Sequence, residues 1–405
     1  MAGKENLVDI GAKTFMPNYA PTLVLDRGEG SKVWDAAGNE YLDFGTGIAV
    51  NSLGHRHPDL VEAMTNQAQK LWHVSNLFFS EPPVRLAEAL VEHTFASRVF
   101  FCNSGAEANE AAIKLVRKHA SKSHPDTKRE IVTFEGGFHG RTLATVTATA
   151  QPKYHEGFEP LPGGFVYCPF NDFEAVEKAV SKNTCAIMVE PVQGEGGITP
   201  ARQGFLRHLQ ELCEANDALL VFDEIQAGMG RTGKFLSYEW EEGVQPDVVT
   251  LAKALGGGMP IGALLVGDKA SEDLPLGSHG STFGGNPVVA AVALAALKQL
   301  TSPALLANAQ RQGERIRESL QKLNERVQIF KDVRGRGMMI GAELVEAHAG
   351  KAGAIGAAAQ EQGLLILTAG PDVVRMLPPL NLSDADLADG MNRFEKAVDA
   401  WLAAG

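Results

Sequence analysis

Three stretches of this sequence hold residues whose types and spacing could do chemistry. Lys253 stands in T-L-A-K-A-L-G-G-G-M-P, at the end of an apolar run, between Ala252 and Ala254 and ahead of three glycines. A lysine entering a partly apolar pocket loses hydration, its pKa falls, and its neutral amine can attack a carbonyl carbon. Taken alone, a strand-ending lysine is ordinarily a solvated surface residue. Asp223 changes that reading. It closes the run L-L-V-F-D-E, too apolar to hold an unpaired carboxylate cheaply, although by itself it would serve equally as a helix cap or half of a salt bridge. The third stretch is F-C-N-S-G-A-E-A-N-E-A-A-I-K, where an apolar run turns at Asn103-Ser104-Gly105-Ala106 into residues at helical spacing. Ser104 can cap that helix, and Gly105 lets an anion approach the free amides at its positive end.

Together the three pieces satisfy the needs of pyridoxal phosphate (PLP). The aspartate keeps the pyridine nitrogen protonated, the lysine holds the aldehyde carbon, and the helix end cradles the phosphate. Two other patterns lead elsewhere. Gly228–Phe235, G-M-G-R-T-G-K-F, partly matches a dinucleotide fingerprint and a Walker A loop. Phe235 stands where a Ser or Thr must hold Mg²⁺, and no clean apolar helix follows the glycines. His55 and His57 suggest a metal, but Pro58 starts a helix there and no third ligand is evident, so they read as turn residues and no metal is expected.

Elements with a common direction must bring these residues together. Short apolar runs at Val99–Asn103, Ile131–Phe134, Phe165–Cys168, Cys185–Glu190, Leu219–Glu224 and Val248–Leu251 alternate with helical segments such as Ala106–His119 and Gly204–Asn216. That rhythm predicts an α/β fold with a mostly parallel sheet between helices. Ligands then bind beyond the carboxyl ends of the strands, where Asn103-Ser104-Gly105, Glu190, Asp223-Glu224 and Lys253 all fall. Ahead of them, Thr22–Leu25, Lys32–Asp35 and Glu40–Phe44 read as a small antiparallel meander punctuated by Gly28, Gly30 and Gly38. The division expected is 1–56 and 301–405 as the two parts of a smaller α+β domain built from both termini, around a large cofactor-binding domain at 57–300.

Composition narrows the class. The 405 residues carry 37 Lys+Arg and 49 Asp+Glu, a formal net charge of 37 − 49 = −12, with 44% hydrophobic and 21% charged residues. That argues against disorder and against general nucleic-acid binding, which needs a positive surface. The longest clean apolar run, Val288–Leu297, is about half of a bilayer span. The N-terminal decapeptide has acidic residues and no apolar core, unlike a signal peptide. Cys102, Cys168, Cys185 and Cys213 lie far apart without a C-x-x-C pair, which suits a reduced cytoplasm better than a disulfide scaffold.

Ten ordered motifs extend over almost the whole chain: N-Y-A-P, G-I-A-V-N-S-L-G-H-x-H-P, L-W-H-V-S-N, F-C-N-S-G-A-E-A-N-E, F-H-G-R-T, E-P-V-Q-G-E-G-G, F-D-E-I-Q-A-G-M-G-R-T-G, the Lys253 segment, H-G-S-T-F-G-G-N-P and R-M-L-P-P-L. With them the sequence resembles the class III (fold type I) PLP-dependent aminotransferases, and within these the acetylornithine and succinylornithine aminotransferases. The resemblance implies Lys253 as the Schiff-base lysine and Asp223 as the pyridinium partner. It implies Gln226 at the ring hydroxyl, Phe138 stacked on the ring, and Glu224 and Ile225 among the cofactor-binding residues. Ser104, Gly105 and Ala106 would bind the phosphate, joined by Thr282 from the neighbouring subunit of a homodimer. Arg141 would grip the substrate α-carboxylate, a task suited to a guanidinium. Tyr19 and Ser281 would lie along the substrate, Ser281 beside its acyl group. Glu195 and Arg375 match the pair that switches between two substrates, with glycines 194, 196 and 197 giving the Glu195 turn freedom.

The reaction so implied moves the terminal amine of N-acetylornithine or N-succinylornithine to 2-oxoglutarate, giving the semialdehyde and glutamate, in arginine metabolism. A related class III activity on ornithine or 4-aminobutyrate is the alternative. Ornithine aminotransferases carry a tyrosine where this chain has Ile48, which disfavours a free ammonium there and favours an acylated end. A cofactor-binding regulator without turnover is the rival of another kind, but no DNA-binding module is appended.

Overall fold

The computed structural model describes residues 7–124 and 127–404; the first six residues of the N-terminal decapeptide, Pro125, Asp126 and Gly405 lie outside these. The central sheet has seven strands in the order Arg98–Cys102, Gly262–Val266, Val248–Leu251, Leu219–Asp223, Thr184–Val189, Glu130–Phe134 and Phe165–Cys168. Neighbours run parallel except at Gly262–Val266, which is antiparallel to both strands beside it. Six of the seven follow the apolar runs read above to within a residue or so. The antiparallel one is missing from them because it follows a glycine-rich stretch that reads as loop.

The strands are apolar throughout because both faces are covered. Leu219 and Val221 pack with Ala111, Ala112 and Leu115 of the helix Gly105–Ser123. Leu220 and Phe222 face the opposite cluster, with Phe205 and Leu209 of the helix Phe205–Ala215. Each fully buried Leu, Val or Phe among them contributes about 1.5–3 kcal/mol. The apolar run Val288–Leu297 is also core, in the helix Pro287–Leu300. No single described helix is long and apolar enough to cross a membrane. All four cysteines are buried and unpaired, and burial pushes the Cys102 and Cys168 thiols up to about 12.

Both ends of the chain meet in a second sheet. Leu25–Glu29, Lys32–Asp35 and Glu40–Asp43 form the antiparallel meander, and Leu364–Leu365 adds to it parallel with Glu40–Asp43. The expected first strand, Thr22–Leu25, is displaced: it begins at Leu25 and runs through Gly28. Pairing of Arg27 with Trp34, the guanidinium 3.8 Å over the indole, holds that register. A third sheet joins Phe330–Arg336, Met339–Leu344, Val373–Met376 and Leu367–Thr368. The helices Pro303–Val327 and Asp384–Ala403 pack with this C-terminal region.

Candidate active site

Leu219–Asp223 and Val248–Leu251 lie side by side with Asp223 opposite Thr250, so their carboxyl ends open on one space. There a cavity of about 420 Å³ is lined by Ser104, Gly105, Ala106, Phe138, Arg141, Asp223, Ile225, Gln226 and Lys253. Nine of the residues singled out from the sequence thus meet. Asn103, His139, Glu190, Val50 and Met259 also line it.

Asp223 is 3% exposed, and its charge is well held. Oδ2 accepts from Asn109 Nδ2 at 2.8 Å and lies 2.8 Å from His139 Nδ1, while Oδ1 accepts from the Ile225 amide at 3.1 Å. Burial disfavours charge on His139, but its hydrogen bond to Asp223 and that carboxylate's charge outweigh burial and raise its pKa. Glu190 accepts from the amides of Phe138 at 2.9 Å and Gly194 at 3.2 Å. Burial and the charge of Asp223 raise its pKa.

Lys253 makes no side-chain hydrogen bond or ion pair with another described residue. Burial lowers its pKa against the pull of Glu195, Asp223 and Glu190. Its φ of 43° is left-handed, a strained setting for a side chain with a Cβ and one that recurs at functional positions. Opposite, Ser104 caps the helix Gly105–Ser123 by accepting from the Glu107 amide at 3.2 Å. The amides of Gly105 and Ala106, in the first turn, have no intrahelical acceptor. Gly105 is glycine for packing: a Cβ there would lie 2.8 Å from Ile225.

The rim is built differently. Arg141 is exposed, its guanidinium 4.0 Å over the Tyr154 ring and 5.4 Å from Phe138. Thr282 is exposed and outside the cavity wall, as is Tyr19 at 84% exposure. Ser281 sits at the edge, where its hydroxyl accepts from Asn103 Nδ2 at 3.2 Å and from the Gly284 amide at 3.0 Å. Ile48 is 42% exposed within a turn whose residues 46–49 all have left-handed φ, between 47° and 64°. Asp43 Oδ1 holds that turn by accepting from the amides of Gly45 at 2.9 Å and Thr46 at 2.8 Å, and the turn packs against Lys253–Gly256.

Behind the cavity, Arg375 Nη1 lies 2.5 Å from Glu195 Oε1 and donates to Gln226 Oε1 at 3.3 Å. Arg375 is 4% exposed and its Nε has no partner. The glycines beside Glu195 are closely packed, and Gly197 has a left-handed φ of 82° that glycine adopts without strain. A Cβ on Gly194 would collide with the Gln226 amide, and Thr199 Oγ1 and Arg334 Nε bind the carbonyls of Gly196 and Gly197 at 2.8 and 2.9 Å. Glu224 turns away, its carboxylate accepting from the amides of Ser237 at 2.9 Å and Tyr238 at 2.8 Å, and burial pushes it up to about 8. His55 Nε2 lies 2.7 Å from Asp43 Oδ2, a structural pair. No group of three metal-binding side chains occurs among the described residues.

Residues 15–398 match the family model "Aminotransferase class-III". The chain belongs to that family. This class III aminotransferase is 59% identical over 396 residues to the acetylornithine aminotransferase of Xanthomonas campestris pv. campestris, covering 97% of each chain. Among solved structures it is similar to the N-acetylornithine aminotransferase of Stenotrophomonas maltophilia, with a TM-score of 0.86, 48% identity, and 98% of this chain and 100% of that one covered. It is also similar to the ornithine aminotransferase of Toxoplasma gondii, a structure with partial occupancy of PLP at the active site, with a TM-score of 0.94 at 33% identity and coverage of 98% and 95%. The aminotransferase contains Asn109, His139 and Glu190 in its site, which sequence reasoning did not assign. Asn109 and His139 were visible only as polar residues in apolar or glycine-rich surroundings, and Glu190 only as a strand end.

Proposed function

We propose that this aminotransferase transfers the terminal amine of an N-acylated ornithine, foremost N-acetylornithine, to 2-oxoglutarate with PLP as cofactor. The near-full-length likeness to an acetylornithine aminotransferase carries the substrate assignment. The cavity's chemistry fits the cofactor: an amine without a protein partner, a buried carboxylate, an open helix end and an aromatic face converge on one space. Bound PLP supplies an electron sink for the substrate carbon that bears the amine.

This chain's residues do the rest. Ser104, Gly105 and Ala106 bind the phosphate through the hydroxyl and first-turn amides. Phe138 would cover one ring face, Gln226 would meet the ring hydroxyl, and Asp223, fixed by His139 and Asn109, would hold the proton of the ring nitrogen. Lys253 would hold the aldehyde carbon. Its Nζ, whose pKa burial lowers, would move the proton from and to the amine-bearing carbon of the substrate. Arg141, with no ion pair among the described residues, grips the α-carboxylate. Arg375 receives the second carboxylate of 2-oxoglutarate, and Glu195 neutralises it when the acylated donor, which lacks that charge, is bound. Ile48, an apolar residue on the rim, suits an acylated end better than a free ammonium.

The same reading includes a homodimer. Trp72, Leu77, Phe78, Phe79 and Phe283 are 61–98% exposed on one chain, and a second copy would cover such apolar surface. It would bring Thr282 of the partner subunit to the phosphate, making each site composite. We further propose that residues 57–300 act as the cofactor domain, that 1–56 and 301–405 form the domain that positions Arg375, and that the enzyme works in the cytoplasm.

The test is an amine-donor panel with 2-oxoglutarate on purified protein. N-acetylornithine or N-succinylornithine should give the highest kcat/KM; preference for ornithine or 4-aminobutyrate contradicts the proposal.

A further inference from the structure

Arg231 is the largest fully buried side chain of the described residues, at 0% exposure, and no carboxylate among those residues forms an ion pair with it. Its guanidinium is held by neutral acceptors alone. Nη1 donates to the carbonyls of Met338 at 3.1 Å and Pro378 at 2.5 Å, and Nη2 donates to Ser52 Oγ at 2.7 Å. Nε has no partner. Burial pushes the guanidinium down to about 9. A buried cation without a counter-ion is costly, and removing it by a well-packed apolar residue is often neutral or stabilising. Stability alone is therefore a poor reason for an arginine here.

The three acceptors share a feature. Met338 immediately precedes the strand Met339–Leu344, and Pro378 follows the strand Val373–Met376 by two residues. Those strands pair antiparallel, with Gly341 opposite Arg375 and Ile340 opposite Met376. Arg231 thus clasps the end of the strand pair that carries Arg375. The Met338 amide returns a bond to the Arg231 carbonyl at 3.0 Å. The third acceptor, Ser52, belongs to the segment that continues from Val50, a cavity residue, and its carbonyl accepts from the Leu380 amide at 2.8 Å. At its own end, Arg231 stands five residues beyond Gln226, which touches both the cavity and Arg375.

We propose that Arg231 is a positioning residue that sets the place of Arg375 relative to Gln226 and the cofactor pocket, and so governs recognition of the acceptor's second carboxylate. A planar fork can span three acceptors from three segments at fixed angles; a lysine ammonium or an apolar side chain cannot. The inference rests on the assignment of Arg375 to that carboxylate.

The test uses the PLP-loaded enzyme and two oxo acids, 2-oxoglutarate and succinic semialdehyde, which keeps the distal carboxylate and lacks the one beside the reacting carbonyl, the charge that the acylated donor also lacks. The readout is the ratio of their kcat/KM values with one amine donor. Arg231→Lys should lower that ratio about tenfold, as expected when a charge-assisted contact is misplaced by a fraction of an ångström to an ångström. The loss should fall on the KM for 2-oxoglutarate, with succinic semialdehyde turnover little changed. Ser52→Ala removes one acceptor without burying a new group, folds whatever Arg231→Lys does, and should shift the ratio the same way by about threefold. A merely structural role lowers thermal stability and both kcat/KM values together. If Arg375→Ala collapses the ratio while Arg231→Lys and Ser52→Ala leave it at the wild-type value, this proposal is overturned alone. If Arg375→Ala itself leaves the ratio unchanged, the carboxylate assignment fails and takes this proposal with it.

Discussion

The floor and the rim of the cavity are made on different terms. On the floor, Asp223 is 3% exposed and has three protein partners, and His139 and Asn109 behind it are buried with it. On the rim, Thr282, Arg141, Tyr19 and Phe283 stand in solvent on a single chain. A buried charge must be fully hydrogen-bonded within the fold that buries it, whereas an exposed group can wait for a ligand or another chain. The floor is thus what one chain can preorganise. The rim is what substrate and, in the homodimer proposed above, a second subunit would complete.

The largest blow to the floor is Lys253→Ala. It should fold, since Lys253 has no protein partner to lose, yet turnover should fall by roughly 10²–10⁴-fold or more. Steady-state transamination beside circular dichroism checks this; substantial turnover by the variant breaks the assignment. Next comes Arg375→Ala, at the junction of floor and rim. The 2-oxoglutarate half-reaction should lose roughly 2–5 kcal/mol, and the amine-donor half far less. Single-turnover measurement of each half decides, and equal losses would make the Glu195–Arg375 pair a permanent salt bridge.

A smaller effect concerns pH. The pKa of His139 in the folded chain lies above its ordinary value of 6.5 because of Asp223. Its contribution to stability is therefore fully present below about 6.5 and is lost as pH rises through the raised value. His139→Asn should flatten this loss in cofactor-free protein, so that variant and wild type converge in melting temperature at high pH. Parallel curves for the two proteins across that range would contradict the pairing.

How legible these two regions are in the sequence follows from the same contrast. Asp223, Lys253 and Ser104 stand out because each interrupts an apolar run or starts a helix, and burial punishes a polar residue placed there without purpose. Asn109 and Arg231 are equally buried but sit in a helix of alanines and in a glycine loop, where periodicity marks neither. Their partners lie 114 residues away at Asp223 and between 107 and 179 residues away at Met338, Pro378 and Ser52. No local pattern carries such distances. The strand Gly262–Val266 is hidden for a related reason: its antiparallel place is set by pairing with Arg98–Cys102, more than a hundred and fifty residues earlier. The left-handed turn at 46–49 is marked only by Gly47, since the strain is shared by Thr46, Ile48 and Ala49 and held by Asp43.

The central claim is that each site joins a floor from one chain to a rim from another, and subunit mixing tests it most directly. Lys253→Ala removes the floor's amine; Thr282→Asp sets a negative charge against the phosphate at the rim. Each variant alone should be nearly inactive. Co-expressed, half of the dimers are hybrids, and each hybrid holds one site with Lys253 from one chain and Thr282 from the other. Activity should then return to about a quarter of the wild-type value. No recovery in hybrids that have been isolated and shown to be dimers would mean that each site is built from a single chain.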